Sequence, residues 1–160
     1  MAYASKYYDP VKAHQYYMEH RQLKKRSSTS GLSEKGREAA RMVKESLKQE
    51  RKEKQEALKA DMNNKVQSIR SKMQDERDRV KRERERIKNL PKEQRAEARE
   101  KLNEEKKNFM DSCRSDIKGL RDNYKAEKAK IKETYDEMYL QELDKIKQDK
   151  KLTKKSKKKR

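Results

Sequence analysis

The residues most able to perform chemistry are few and widely separated in this sequence. The chain contains two histidines, His14 and His20, and one cysteine, Cys113. Histidines six positions apart point to different faces of a helix, so they do not predict a metal-binding pair. Cys113 occupies one position in a series of apolar residues spaced three and four apart, and no histidine lies near it in the sequence. This setting is typical of a small buried hydrophobic residue, since a nucleophilic thiol needs an exposed, electropositive site with a base.

Carboxylates are abundant, but their pattern does not predict acid–base catalysis. Many Asp and Glu residues have Lys or Arg four positions away, a spacing that forms solvated ion pairs on a helix. General acid–base chemistry needs a cleft with perturbed groups, which a helical rod does not provide. The three glycines are isolated, so they do not form a phosphate-binding loop. The sequence therefore predicts a protein that is not an enzyme and that uses no cofactor and no metal.

The basic residues predict a binding function. The formal net charge is +19, and the segment from Lys147 onward carries nine basic residues and one acidic residue. Such a tail attracts polyanions and is expected to be disordered until bound. An alternative is that it only keeps the chain soluble. The residues predicted to bind nucleic acid or another polyanion are Lys150, Lys151, Lys154, Lys155, Lys157, Lys158, Lys159 and Arg160.

The N-terminal segment is rich in tyrosine. Five of the eight tyrosines of the chain precede residue 18. Tyrosine buries an apolar ring while its hydroxyl stays hydrated, which suits a docking surface. Two alternatives are that this segment packs back on the rest of the chain, or that its rings stack on single-stranded bases. The residues predicted to dock on a partner are Tyr7, Tyr8, Asp9, Pro10, Val11, His14, Tyr17 and Met18.

The composition indicates which elements position these residues. Charged residues make up 48% of the chain and hydrophobic residues 29%, which excludes a large compact core. Two classes of chain remain possible: disordered polyampholytes, and long helices that bury only a narrow apolar stripe. The abundance of Lys, Glu, Arg and Ala favours the helices. A single cysteine cannot form an internal disulfide, which predicts a reducing, intracellular setting. The sequence shows no apolar run that could serve as a membrane span or signal peptide, which predicts a soluble protein.

Capping residues and helix breakers divide the chain into four segments. Asp9 and Pro10 predict an N-cap and first helical position for a helix that ends near Lys24, within a docking segment over residues 1–26. Residues 27–33 predict a flexible linker that ends in Ser33 as the next N-cap. A helical region follows over residues 34–149, and the tail covers residues 150–160.

Pro91 interrupts the helical region, with one helix predicted from 34 to 89 and another from 92 to 148. Apolar residues recur in each at steps of three, four or seven, which indicates a coiled-coil seam with gaps at Glu76 and Glu83. The predicted seam residues are Met62, Val66, Ile69, Met73, Val80, Ile87, Met110, Cys113, Ile117, Leu120, Tyr124, Ile131 and Met138. The preferred architecture is an all-α antiparallel helical hairpin that turns near residues 90–91. A kinked continuous helix that dimerises in parallel is the competing prediction.

The order of these segments resembles a known family. The chain has the run Tyr-Tyr-Asp-Pro-Val-Lys-Ala-His at 7–14 inside a tyrosine-rich box over 3–21, a Ser/Thr-Gly-Leu linker at 28–32, and a long charged coiled coil. This arrangement is similar to that of small structural or assembly-associated proteins encoded by tailed bacteriophages and prophages of Gram-positive bacteria. The box carries the resemblance, because one charged helix is much like another.

The resemblance implies a virion or assembly protein whose partners are the phage capsid, portal or tail proteins. It would act in the host cytoplasm during assembly or in the virion, and it would not act at a membrane. Self-association is a further expectation, since the seam is weak. The alternative function is nucleic-acid binding through the Lys/Arg-rich regions. A third hypothesis, supported by the tail alone, is a eukaryotic nuclear or ribosome-associated coiled coil.

Overall fold

Three helices account for most of the structure. The computed structural model describes residues 9–154, in which α1 spans Pro10–Ser27, α2 spans Glu34–Lys88 and α3 spans Lys92–Gln148. Residues with high helix propensity fill these segments, and glycine and proline are rare within them. The only β-pairing over these described residues is an isolated bridge between Leu32 and Thr153. The predicted all-α class is confirmed.

Helix α1 begins where its capping residues predict. The Asp9 carboxylate accepts hydrogen bonds from the backbone N–H groups of Val11 at 3.0 Å and Lys12 at 3.4 Å, and Pro10 is the first helical residue. The helix continues to Ser27, so the predicted end near Lys24 was wrong. Its last turn is basic, and positive charge there interacts favourably with the exposed carbonyl groups at a helix C-terminus.

The junction between α2 and α3 is a short turn around Pro91. The backbone N–H of Leu90 donates to the carbonyl of Ile87 at 3.0 Å, and the Arg95 guanidinium donates to the Leu90 carbonyl at 2.8 Å. Pro91 has no N–H group to continue α2, and its fixed φ suits the start of a helix. The helix boundaries at Lys88 and Lys92 therefore follow from the sequence to within one residue.

The chain divides into two units. The central unit comprises Lys52–Lys132, and the terminal unit comprises the residues up to Arg51 together with those from Glu133 onward. The sequence instead predicted a single helical region over residues 34–149.

In the central unit, apolar side chains of α2 and α3 form two buried clusters. Val80, Ile87 and Leu102 form one cluster, with Leu90 and Ala98 packed against it. The other cluster consists of Met73, Met110 and Cys113, with Ile69 and Ile117 packed against it. The remaining predicted seam residues of this unit are buried or half-buried, and they are Met62, Val66, Leu120, Tyr124 and Ile131.

The polar gap at Glu76 is closed by an ion pair. The Glu76 side chain is only 12% exposed, and the Arg79 guanidinium, one turn along the same helix, donates to it at 2.7 and 3.0 Å. These hydrogen bonds lower the pKa of the Glu76 carboxyl group. Glu83 pairs with Arg86 in the same way at 3.1 Å. The two seam carboxylates are therefore neutralised within their own helix.

The terminal unit has its own apolar cluster, which contains Leu32, Ala40 and Leu143. Tyr139 and Ile146 pack against this cluster. The predicted seam fails here, because Met138 is 38% exposed. The apolar residues that follow Ile131 at four-residue steps are Tyr135, Tyr139 and Leu143. Four residues turn an α-helix by about 400°, so each step rotates the packed face by about 40°, away from Met138. The buried side chains near it are Tyr135, Leu140 and Leu143.

Residues 149–154, which we call the C-terminal strap, lie against the segment that precedes α2. The backbone N–H of Ser33 donates to the Leu152 carbonyl at 2.8 Å, and that of Lys154 donates to the Gly31 carbonyl at 3.1 Å. Leu32 between these bonds is fully buried. The sequence predicted a flexible linker at 27–33 and a disordered tail from 150. At Gly31–Ser33 and Leu152–Lys154 the arrangement differs from these predictions, because the burial of one leucine and two backbone hydrogen bonds hold the two segments together. Residues 155–160 of the predicted tail lie outside the described residues.

Candidate functional site

Helix α1 exposes most of its apolar side chains. It contains no buried residue, and Val11, Tyr16 and Tyr17 are each more than 60% exposed. Leu23 is also exposed at 55%, and the Tyr16 ring stacks on the His20 ring with centroids 5.7 Å apart. An apolar surface of this kind is typical of a binding region when it is not covered by the same chain.

Arg26 connects the end of α1 to α3. Its guanidinium lies 3.1 Å from the Glu137 carboxylate and 3.0 Å from the Asp144 carboxylate, and the Lys147 ammonium donates to the Arg26 carbonyl at 2.6 Å. The hydrogen bond with Glu137, followed by that with Asp144, raises the pKa of Arg26. In the part of the chain that the structure describes, every hydrogen bond or ion pair between α1 and α3 involves this arginine.

Five of the eight predicted docking residues lie on α1, and three do not. Asp9 caps the helix, and Tyr7 and Tyr8 lie outside the described residues. The others are exposed along the helix, namely Pro10, Val11, His14, Tyr17 and Met18. The alternative in which α1 buries its rings against the rest of the chain is not observed among these residues.

The predicted polyanion-binding tail is only partly described. Lys150, Lys151 and Lys154 are exposed and belong to the C-terminal strap. The other five predicted residues lie outside the described residues, and they are Lys155, Lys157, Lys158, Lys159 and Arg160. These strap lysines are thus exposed on a segment whose backbone is held by hydrogen bonds with Gly31 and Ser33.

Sequence reasoning missed a basic stripe on α3 in the central unit. Six basic residues follow one another at steps of four and three, and they are Arg114, Lys118, Arg121, Lys125, Lys128 and Lys132. At about 100° per residue these positions stay within one face of the helix, over a length of about 27 Å. No acidic residue occupies a position of the series. The same step pattern that reveals an apolar seam would have revealed this stripe.

A second basic stripe lies on α2 of the same unit. It contains Arg70, Arg77, Lys81, Arg84 and Lys88 at steps of seven, four, three and four. Arg70 lines a surface groove together with Arg114, Lys118, Arg121 and Lys125 of α3. Further along the same stripe, Arg84 and Lys88 line a groove with Arg99 of α3. We refer to these surfaces together as the basic groove.

Known proteins give no further assignment. No protein-family model matches the chain, and neither a curated protein nor a solved structure is significantly similar to it. Among the described residues, no helix is long and apolar enough to cross a membrane. These residues also contain no group of three or more His, Cys, Asp or Glu side chains that could hold a metal ion.

Proposed function

We propose that this chain is a non-enzymatic structural or assembly accessory protein of a tailed bacteriophage, and that it docks on another phage structural protein through α1. The observation that carries the proposal is the exposed apolar surface of α1. The resemblance of the tyrosine-rich box to phage assembly-associated proteins gives the class of partner. Five of the predicted docking residues of that box are exposed on α1, which supports the proposal.

The surface chemistry of α1 suggests what the partner offers. The helix contains five basic residues and one acidic residue, Glu19, in addition to its exposed tyrosines. Aromatic and basic side chains combine well with a partner that presents an apolar patch surrounded by carboxylates. We infer that α1 binds such a patch on a capsid, portal or tail protein. Since Arg26 already pairs with α3, the residues before it would make the contact.

We also propose that α2 and α3 form an antiparallel helical hairpin with coiled-coil packing. The cluster of Val80, Ile87 and Leu102 supports this arrangement, because Val80 and Leu102 lie at equal sequence distances on either side of Pro91. The groove shared by Arg70 and Arg114 supports it further from the turn. Spin labels at residues 62 and 120 would lie far apart if the fold-back were wrong.

The test of docking is association with phage assemblies. Procapsids, mature capsids and tails of the producing phage are separated on density gradients and probed for this chain. We expect co-sedimentation with one of these assemblies, and a loss of at least tenfold when Val11, Tyr16 and Tyr17 are replaced by Gln. Glutamine retains helix propensity, so the change removes apolar surface without breaking α1.

A matched control replaces exposed apolar residues elsewhere. Met42 and Phe109 are also exposed, and their replacement by Gln should leave co-sedimentation unchanged. If the wild-type chain stays in the free-protein fractions, or if the α1 variant sediments like the wild type, the proposed docking is wrong.

A further inference from the structure

We propose that the basic groove of the central unit binds the phosphate backbone of double-stranded nucleic acid without reading its sequence. This function differs from docking through α1, and it locates nucleic-acid binding away from the C-terminal tail. Three features of this unit favour such binding: cations without carboxylate partners, their regular spacing, and the scarcity of exposed apolar side chains around them.

The cations of the groove are largely free of ion pairs. In the described chain, no salt bridge includes Lys118, Arg121 or Lys125, and all three side chains are exposed. Asp122 is the one acidic residue that lines this part of the groove. Arg114 pairs with Asp111 at 3.3 Å, so it would contribute less. Cations that lack a partner within the chain attract anions from outside it.

Ion pairs in this unit are concentrated on other positions. Glu76, Arg79 and Glu105 form a small network, with Arg79 lying 2.7 Å from Glu76 and 3.6 Å from Glu105. Glu83 and Arg86 pair nearby at 3.1 Å. None of these residues belongs to the two basic stripes, of which Lys88 pairs with Glu85 at 3.0 Å and Arg114 pairs with Asp111. The other cations of the stripes take part in no salt bridge among the described residues, so most of the stripe charge is available to an anion from outside the chain.

The spacing of the cations favours a polymer with repeating charge. Steps of three and four residues place a positive side chain about every 5 Å along the axis of α3. Duplex nucleic acid presents one phosphate per strand about every 3.4 Å, so a straight stripe can neutralise several phosphates in succession. The regular array therefore favours a nucleic-acid backbone.

The neighbouring side chains exclude two other polyanions. Among the described residues of the central unit, Phe109 is the only large hydrophobic side chain that is exposed. Insertion into a lipid surface requires an apolar face beside the cations, which this groove lacks. Stacking on single-stranded bases requires exposed aromatic rings. Tyr124 is half-buried, with the Lys128 ammonium 5.9 Å from its ring centre. Phosphate contacts on a duplex remain.

The experiment compares a groove variant with a charge-matched control in the full-length chain. The groove variant replaces Lys118, Arg121 and Lys125 by Gln. The control variant replaces Lys72, Arg82 and Lys101 by Gln, which are exposed residues of the same unit outside the stripes. Both variants lose the same charge at exposed helical positions, and glutamine preserves helix propensity. Circular dichroism verifies that both variants keep the helical content of the wild type.

Binding to 30-base-pair duplex DNA and duplex RNA is measured by fluorescence anisotropy from 50 to 200 mM NaCl. A plot of log affinity against log salt has a negative slope, and each lost phosphate contact makes this slope less steep by about 0.9 on B-DNA. We expect the groove variant to bind at least tenfold more weakly, with a slope less steep by about 2 to 3. The control variant should change both values much less. The DNA and RNA duplexes show which backbone the groove accepts, and groove-dependent binding of either supports the proposal.

A deletion of residues 155–160 separates the groove from the tail while keeping the strap. The proposal predicts that groove-dependent binding persists in this deletion. It is overturned if the deletion removes all binding, if the groove and control variants lose affinity equally, or if the wild-type chain does not bind a duplex at 50 mM salt. It is also overturned if polyglutamate competes better than duplex for the groove, because the partner would then be an acidic protein.

Discussion

Replacing Gly36 by Ala should release the C-terminal strap from the start of α2. Gly36 lies in the first turn of α2, and a Cβ atom there would overlap the carbonyl oxygen of Leu152. That oxygen belongs to the backbone and accepts the hydrogen bond from Ser33, so it cannot rotate away as a flexible side chain could. The strap must therefore move if residue 36 carries a side chain.

The size of the effect follows from what the strap contributes. Two backbone hydrogen bonds, Ser33 to Leu152 and Lys154 to Gly31, would be lost, at about 1 kcal/mol each. Partial exposure of Leu32 costs about 1 kcal/mol more, since full exposure of a leucine costs roughly 1.5–3 kcal/mol. The loosened strap gains conformational freedom, which offsets roughly 1 kcal/mol of this loss. The free energy of opening the strap should therefore fall by about 2 kcal/mol, which corresponds to a roughly 30-fold larger population of the open state.

Amide hydrogen exchange measured by NMR tests this directly. The amides of Ser33 and Lys154 should exchange roughly 30-fold faster in the Gly36→Ala variant, while amides in the middle of α2 should not change. Gly31→Ala is the matched control, because a Cβ at residue 31 meets nothing within 4 Å. Unchanged exchange in Gly36→Ala, or an equal acceleration in Gly31→Ala, would refute the role of the close approach between Gly36 and Leu152.

Three further predictions concern the central unit. Gly119→Ala should stabilise it by about 0.5–1 kcal/mol in urea unfolding, because Gly119 is helical and its added Cβ meets nothing within 4 Å; destabilisation would reveal a missed contact. Arg79 lowers the pKa of Glu76 in the folded state. The pair therefore contributes its full stabilisation above the unfolded pKa of about 4.3, and this contribution is lost as the pH falls through the lower folded pKa. Urea midpoints from pH 2 to 6 should thus decline more in the wild type than in Glu76→Gln, and parallel curves would contradict this. Buried Cys113 should react with a thiol reagent much more slowly in the native protein than in urea; equal rates would show that the cluster opens readily.

The helices could be predicted from the sequence because local signals determine them. Asp9, Pro10, Ser33 and Pro91 mark helix boundaries through capping and the missing N–H of proline, and these signals act over one turn. The buried and half-buried apolar positions of the central unit could be predicted through Ile131, because they follow regular steps of three, four and seven. The prediction failed at Met138, where the packing of Tyr139 and Leu143 against Leu32 determines the buried face. That contact joins residues more than a hundred positions apart in the sequence.

The exposed aromatic side chains of α1 were predictable in part, and the strap was not. Exposed tyrosines on α1 follow from composition and capping. A Ser/Thr-rich segment and a lysine-rich tail both predict flexibility when each is considered alone. Each segment contains a single hydrophobic residue, Leu32 in residues 27–33 and Leu152 in residues 147–154. Neither segment therefore has an apolar periodicity that would indicate pairing. Their association depends on the absence of a Cβ at Gly36, because the Leu152 carbonyl lies where that atom would be. Only the three-dimensional structure shows that Gly36 and Leu152 are neighbours.

The two proposed binding surfaces differ in chemistry in a way that separates their functions. Every exposed large hydrophobic residue among the described residues belongs to the terminal unit, except Phe109. The two basic stripes belong to the central unit. Apolar docking on a protein should depend weakly on salt, whereas phosphate binding should depend on it steeply. Raising the salt concentration should therefore release nucleic acid while leaving docking through α1 largely intact. A single surface serving both partners would lose both together.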